Sequence, residues 1–430
     1  MNTFQSFGWE INPNLNFKNK NFPSLNEDIN TDWLIIGGGL TGLSALNQLK
    51  KYNITDKVIM VDAGRIGQGS SSRNSGFLVD STLNNGATTI SNIKDYKQKY
   101  ALNLAGISEL KNMVTENNIS CDWTAKGKYH AAANNNEFYK LRKFRGLLSE
   151  VGIDFDEYHQ EELLNLLGTN FYKYAIKTSG GILLNPQKLL QGLFFKICKN
   201  SNIYEDTKIV NFFIDREPQA LTSRGFKIKA KKIIIATNAW LPELKIKKNR
   251  SIPLILTSSI TRPLTSKECS EIGNPKPWGV LSVKPTGATV RYTNDHRIMI
   301  RNTSEPLLNS KINFKKCIEK HKEGFLKRFP TFCNIDFENS WSGLISVSRN
   351  GKPVFGKLND KVYYAGVYNG GGLGLSVLFG AAMIDSALKV NNTRLNIVSN
   401  FPQANNLPPF PKLAAYLRIK LDQIFGSNEA

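Results

Sequence analysis

Cysteine and histidine are scarce in this 430-residue sequence. The five cysteines stand far apart, without a CxxC pair, at Cys121, Cys198, Cys269, Cys317 and Cys333. An odd, scattered set argues against a disulfide framework or a zinc site and fits a reducing compartment. The four histidines show no metal-ligand spacing. We therefore predict no metal centre, and nothing in the sequence resembles the nucleophile turn of a hydrolase.

Long apolar runs are also missing. No stretch approaches the roughly 18 consecutive apolar residues that span a bilayer. Trp9 and Glu10 stand where a signal peptide would be apolar. We expect no membrane insertion and a cytoplasmic location.

Acidic residues are outnumbered, with 56 Lys and Arg against 35 Asp and Glu and a formal net charge of +21. Such an excess can indicate nucleic acid, an anionic surface or acidic substrates. The lysines are spread along the chain rather than gathered in a patch with interleaved aromatic residues. The sequence therefore favours a solvated cationic surface over a groove for nucleic acid.

The apolar pattern near the N-terminus predicts a βαβ unit. Residues 32–36 form an apolar strand, residues 39–50 place leucines at helical spacing, and Val58–Val61 form a second buried strand. This order commits the region to the parallel sheet of an α/β fold. Strand patterns between residues 252 and 301 predict an antiparallel sheet further along the chain.

The turn between the first strand and the helix carries a G-x-G-x-x-G pattern. Gly37 permits the sharp turn, Gly39 lets a pyrophosphate approach the backbone, and Gly42 lets helix and strand pack closely. Asp62 ends the second strand about 20 residues later, where a ribose-binding carboxylate belongs. The spacing predicts a dinucleotide site, although glycine turns also occur in plain βα connections.

Residues 64–77 distinguish an FAD site from an NAD site. This run is rich in glycine and serine, and small residues suit the close approach of a flavin to backbone N–H groups. A nicotinamide enzyme has no need for such a run. Arg73 and Asn74 inside it argue against a simple flexible linker, so we predict FAD.

At these segments the sequence resembles the D-amino-acid-oxidase-like superfamily of flavoproteins, most closely its gamma-glutamylputrescine oxidoreductase branch. Residues 69–76 are similar to the G-x-S-x-R-N-x-G stretch of that branch. Residues 233–240 look like its strand ending in A-T-N-A, residues 350–356 like its D-G-x-P-x-x-G turn, and residues 368–372 like its glycine-rich turn. The resemblance covers roughly residues 30 to 390.

The resemblance implies a fold in which two domains are interleaved. One is an α/β, Rossmann-like FAD-binding domain with a parallel sheet, expected over residues 30–95, 175–245 and 335–390. The other is an α+β substrate domain built on a large antiparallel sheet that roofs the flavin, expected over residues 96–174 and 246–334. Residues 1–29 would form an N-terminal arm and residues 391–430 a C-terminal segment.

The resemblance also assigns cofactor residues. The adenosine and pyrophosphate would be held by Gly37, Gly39, Gly42 and Asp62, and the adenine would meet the backbone of Ile209. The isoalloxazine ring would lie beside Gly69, Arg73, Asn74, Ser75 and Gly76, with its pyrimidine end at Gly370, Gly371 and Gly372.

Three departures qualify the resemblance. Ser72 and Ser75 stand where the branch usually has glycine. Related sarcosine oxidases attach their flavin through a cysteine in the region that matches residues 341–347, which contains none, so we expect non-covalent FAD. Those oxidases also place an oxygen-activating lysine on the sheet over the flavin, where our alignment puts Met299. Oxygen and another electron carrier both stay open as acceptors.

The resemblance implies oxidation of a small amine or amino acid. A hydride would leave the carbon alpha to a neutral amine for flavin N5, and the imine would hydrolyse in water. A protein base is not obligatory, so we name no catalytic residue.

If the substrate bears a carboxylate, an arginine would bind it through two parallel hydrogen bonds. Candidates on the predicted roof strands are Arg291, Arg297 and Arg301, and strand alternation puts Arg297 and Arg301 on one face. Tyr292 is a candidate pocket wall. For each of them an ordinary strand position facing solvent or core is the alternative.

Two other functions stay open. One branch of the superfamily modifies a wobble uridine of tRNA, and the charge of +21 fits that partner whereas the scattered lysines do not. The other is a non-catalytic flavin-binding subunit of a larger complex.

Overall fold

The computed structural model describes residues 8–9, 22–85, 88–89, 92–199, 201–214, 217–306 and 312–425. The helices in these ranges are α1 Leu40–Lys51, α2 Ile93–Glu116, α3 Asn135–Val151, α4 Gln160–Leu167, α5 Pro186–Ile197, α6 Ser266–Glu271, α7 Phe314–Arg328, α8 Gly372–Leu388, α9 Thr393–Asn400 and α10 Pro411–Phe425. The strands are β1 Ile29–Ile36, β2 Val58–Val61, β3 Phe77–Leu78, β4 Asn84–Asn85, β5 Thr88–Thr89, β6 Lys128–Ala132, β7 Phe155–His159, β8 Tyr174–Thr178, β9 Ile182–Leu183, β10 Asn202–Tyr204, β11 Ile209–Phe213, β12 Gln219–Thr222, β13 Lys227–Ile235, β14 Ile252–Thr261, β15 Trp278–Ser282, β16 Thr289–Tyr292, β17 Ile298–Pro306, β18 Phe337–Val347, β19 Val354–Asn359 and β20 Val362–Gly366.

The first sheet contains the predicted βαβ unit. Its strands run in the order β10-β2-β1-β13-β12-β11, with β20 beside β13 and β19 beyond β20. β1 pairs in parallel with β2 and β13, and β13 pairs in parallel with β20. The carboxyl ends of these strands therefore share one edge, which is where α/β sheets bind their ligands. The turns after β1, β2, β13 and β20 meet at that edge.

Helix α8 packs against both α1 and α2. A Cβ on Gly106 of α2 would lie 2.8 Å from the carbonyl carbon of Gly374 in α8, so glycine permits the close crossing of these helices. α8 is buried along nearly its whole length. Among the described residues no single helix is long and apolar enough to cross a membrane, and only α8 with α9, as a pair bent by 105°, passes that test.

The second sheet has the strand order β18-β14-β17-β16-β15-β6-β8-β7. Its neighbours pair antiparallel except β15 and β6, which run parallel. The fold thus joins a Rossmann-like domain with a sheet-based second domain, as the sequence predicts.

Two elements contact segments that the predicted boundaries assign to the other domain, and the boundaries stay a prediction. β18 pairs with β14 from Ile252 to Thr261, so residues 337–347 belong to the second sheet although they follow the predicted boundary at 335. α2 lies in the predicted substrate segment 96–174, yet it packs on α8 of the first domain. Both contacts join residues that are far apart in the sequence, which local patterns do not record.

The N-terminal arm enters the interior at Trp9. Its side chain is only 3% exposed and packs with Ile260, Met299 and Trp341. Most of the predicted arm, residues 1–7 and 10–21, lies outside the described residues. Trp9 is therefore buried against the second sheet rather than exposed on the surface.

Candidate active site

The glycine turn after β1 has the close packing that its spacing predicts. Gly37 adopts a φ of 108°, and its N–H donates to the carbonyl of Val61 at 2.8 Å. A Cβ on Gly42 would lie 2.0 Å from the carbonyl oxygen of Gly37. Gly39, Leu40 and Thr41 line the cavity, and the N–H of Leu40 donates to Ser71 Oγ at 3.0 Å, so the start of α1 lies at the cavity. Such a helix start is a site for a pyrophosphate.

Asp62 stands at the end of β2 beside this turn. Its carboxylate accepts hydrogen bonds from the N–H groups of Gly38 at 2.8 Å and Gly64 at 3.0 Å. Burial raises the pKa of Asp62, and these two N–H groups oppose that shift. The carboxylate lines the cavity, which is compatible with the ribose-binding role predicted from the sequence.

The loop of residues 64–77 is held by its own polar side chains. Nε of Arg73 donates to the carbonyl of Gln68 at 2.8 Å, and burial lowers the pKa of this guanidinium to about 10. The amide of Asn74 donates to the carbonyl of Ser71 at 2.8 Å and accepts from the N–H of Gly76 at 2.9 Å. The run is therefore an ordered wall, as the presence of Arg73 and Asn74 indicates.

Three consecutive carbonyls of this loop also accept hydrogen bonds from distant side chains. Trp341 Nε1 donates to the carbonyl of Arg73 at 3.0 Å, and Trp9 Nε1 donates to that of Asn74 at 2.9 Å. Arg291 Nη1 donates to the carbonyl of Ser75 at 2.9 Å. The second sheet and the N-terminal arm thus fix the backbone that faces the cavity.

The turn before α8 closes the other side of the cavity. Gly370 has a φ of 89°, and Gly371 caps α8 without a side-chain hydrogen bond. The side chain of Asn238, which follows β13, accepts the N–H of Val367 at 2.9 Å and holds this turn in place. The positive end of α8 is therefore directed at the cavity, where it favours a partly negative group.

A cavity of about 850 Å³ lies between these elements. Eleven of the thirteen predicted cofactor residues line it: Gly37, Gly39, Asp62, Gly69, Arg73, Asn74, Ser75, Ile209, Gly370, Gly371 and Gly372. Gly42 and Gly76 are not part of the described lining; each allows two stretches of backbone beside the cavity to pack closely. A Cβ on Gly76 would lie 2.1 Å from the carbonyl oxygen of Leu184. The volume and the paired helix starts fit a long, phosphate-bearing cofactor.

The predicted substrate-binding residues lie in different parts of the structure. Only Arg301 lines the cavity, with Nη2 donating to Thr289 Oγ1 at 2.7 Å. Arg297 precedes β17, and its guanidinium pairs with Asp295 and Glu338.

The other two candidates are engaged within the protein. Besides Ser75, Arg291 donates to the carbonyl of Leu184 at 2.7 Å. The Tyr292 hydroxyl lies 2.8 Å from Nδ1 of His296, and the Tyr292 ring stacks on the ring of Trp278. Neither Arg291 nor Tyr292 belongs to the cavity lining.

Several polar residues of the lining were not identified from the sequence. Lys99 and Asn103 come from the buried face of α2, and His130 comes from β6. Burial, together with the nearby Lys352 ammonium, lowers the pKa of Lys99 to about 8, and burial lowers the pKa of His130 to about 3. A lysine and an asparagine within the apolar stripe of an amphipathic helix are the signal that could have identified them.

These features define the class of protein. The DAO family of FAD-dependent oxidoreductases matches residues 32–386, and the chain belongs to that family. It is an FAD-dependent enzyme, and the predicted superfamily and cofactor are confirmed. Within the described ranges, no group of three or more His, Cys, Asp or Glu side chains could hold a metal ion.

Individual relatives cover nearly the whole chain. Gamma-glutamylputrescine oxidoreductase of Escherichia coli (strain K12) is 26% identical over 416 residues, which cover 91% of this chain and 90% of that protein. Glycine oxidase from Geobacillus kaustophilus shares the fold with a TM-score of 0.72 at 18% identity, covering 85% of this chain and 96% of its own. L-proline dehydrogenase from P. horikoshii has a TM-score of 0.69 at 18% identity, covering 86% of this chain and 96% of its own.

Proposed function

We propose that the protein oxidises a small amine or amino acid at the carbon alpha to a neutral amino group. The observation that carries the proposal is one shared cavity. The glycine turn after β1, the loop of residues 64–77 (the flavin loop) and Arg301 of the second sheet all line it. A relative named for the oxidation of gamma-glutamylputrescine supports the amine class. Glycine oxidase and L-proline dehydrogenase have the same fold.

The chain's own residues would hold the cofactor without a covalent bond. The start of α1 would bind the pyrophosphate, Asp62 the ribose, and the start of α8 the pyrimidine end of the flavin. No cysteine is among the described residues that line the cavity. FAD, when bound, supplies the acceptor for the hydride that leaves the substrate carbon.

The protein's part in the reaction is to orient the amine and exclude bulk water. Arg301 is the arginine we propose for a substrate carboxylate, because it alone of the predicted set reaches the cavity. The low pKa of His130 keeps its ring neutral near pH 7, so it adds no positive charge to the cavity. The imine product would leave the cavity and hydrolyse in water.

An anaerobic reduction panel tests this proposal. Flavin-loaded protein is mixed, without oxygen, with amines and with amino acids, and the flavin absorbance is followed. We expect at least one member to bleach the flavin, and subsequent air to show whether oxygen or another carrier accepts the electrons. A flavin that no member reduces, while dithionite reduces it normally, would exclude the proposed function. The cytoplasmic location stays a prediction from the sequence.

A further inference from the structure

The cavity lining continues beyond the cofactor residues along one chain segment. In residues 80–84, the carbonyl of Asp80 accepts from Asn103 of α2 at 2.8 Å. At the other end, the side chain of Asn84 donates to the carbonyl of Ser282 in β15 at 3.3 Å. This segment therefore links the face of α2 to the end of β15. Lys99, one helical turn before Asn103, and Lys284, just after β15, both line the cavity along it.

The charges of the lining are unbalanced. Asp62 and Glu243 are the carboxylates among the described lining residues. Asp62 is bound by backbone N–H groups at the ribose position, and Glu243 pairs with Lys208 at 3.2 Å. Neither carboxylate of the described lining is paired with Lys99. Lys284 has a partner outside the lining, Glu137, at 3.6 Å.

Lys99 is the most exceptional of these cations. Lys99 is only 6% exposed. No ion pair or hydrogen bond joins its side chain to the described part of the chain. Its charged neighbour Lys352 is itself paired with Asp95 at 3.2 Å. Burial of an uncompensated ammonium is costly unless an anion joins it. The cavity is the open side from which that anion can come.

We propose that Lys99 is a second anion-binding position, separate from Arg301, and that the substrate is an amine carrying two carboxylates. One carboxylate binds at Arg301, as under the proposed function on which this inference rests, and the other binds at Lys99. Asn103 and Asn84 add polar groups to this end of the cavity. A diamine would instead place its second cation beside Lys99 without any lining carboxylate to neutralise it.

Calorimetric binding to the FAD-loaded enzyme tests the assignment without turnover. The probes are the diacids from malonate to adipate, each paired with its monoamide, which keeps one carboxylate and removes the other. Because a charge-assisted hydrogen bond is lost, we expect the best diacid to bind about tenfold tighter than its monoamide, or more. Lys99→Met should abolish this difference. Lys97→Met, an exposed position on the same helix, should leave it unchanged.

Two results would overturn the assignment. One is equal affinity of diacid and monoamide at every chain length in the wild type, which needs no variant. The other is a Lys99→Met enzyme that retains FAD and still prefers the diacid. Failure of the proposed function is distinguishable, because then no amine would reduce the flavin even if diacids bound through Lys99.

Discussion

Gly42→Ala should displace α1 and release FAD. The added Cβ would lie 2.0 Å from the carbonyl oxygen of Gly37 and 3.2 Å from Cγ2 of Ile35. Restoring a normal van der Waals separation requires α1 to move by roughly 1 Å or more. Overpacking of this kind costs about 1–3 kcal/mol. Because the start of α1 is the proposed pyrophosphate site, we expect a much weaker FAD affinity as well as a lower free energy of unfolding.

Gly146→Ala is the matched control for this substitution. Gly146 lies on an exposed part of α3, where an added Cβ meets nothing within 4 Å. An exposed helical Gly→Ala change is expected to raise the free energy of unfolding by up to about 1 kcal/mol. FAD content after purification and urea unfolding of both variants give the comparison. A Gly42→Ala protein with full FAD occupancy and an unchanged unfolding midpoint would refute the packing argument.

Three further substitutions probe other parts of the account. Trp9→Phe leaves the carbonyl of Asn74 without its 2.9 Å donor, so FAD should dissociate more readily, as measured by flavin fluorescence on dilution. Lys128→Met leaves Asp80 as a buried unpaired carboxylate, both side chains being 1% exposed, and should lower the free energy of unfolding by about 3–5 kcal/mol in urea. Arg301→Lys keeps the charge but loses the planar fork, and should raise KM for carboxylate substrates with FAD content unchanged.

Each of these expectations can fail on its own. Unchanged FAD retention in Trp9→Phe would show that the flavin loop does not need the N-terminal arm. A Lys128→Met protein as stable as the wild type would show that Asp80 is not held as an ion in the fold. An Arg301→Lys enzyme with an unchanged KM would remove Arg301 from substrate binding.

Local sequence patterns account for part of the predicted cofactor site. The turn from Gly37 to Gly42, Asp62 and the run at residues 64–77 act within short stretches of chain, so spacing alone records their geometry. Gly37, Gly39 and Asp62, predicted from this spacing, line the cavity, as do Ile209 and Gly370 to Gly372, which only the family resemblance indicated. The family match over residues 32–386 confirms the cofactor that the run indicates.

The substrate half depends on contacts that spacing does not record. Arg291 lies on a predicted roof strand, but it crosses to the carbonyls of Ser75 and Leu184 instead of reaching the cavity. Trp9, in a polar N-terminal stretch, is buried beside Trp341, more than 300 residues away. Lys99 looked like one more lysine in a basic chain, and only the packing of α2 on α8 shows that it is enclosed.

Isotopic substitution of the substrate tests the central claim most directly. The panel member that reduces the flavin fastest is prepared with deuterium at the carbon alpha to the amine, and anaerobic flavin reduction is followed in a single turnover. Since that C–H bond is the one proposed to break, we predict that reduction slows several-fold with the deuterated compound. Equal rates for the two compounds, in a step shown to be chemistry and not binding, would contradict oxidation at that carbon.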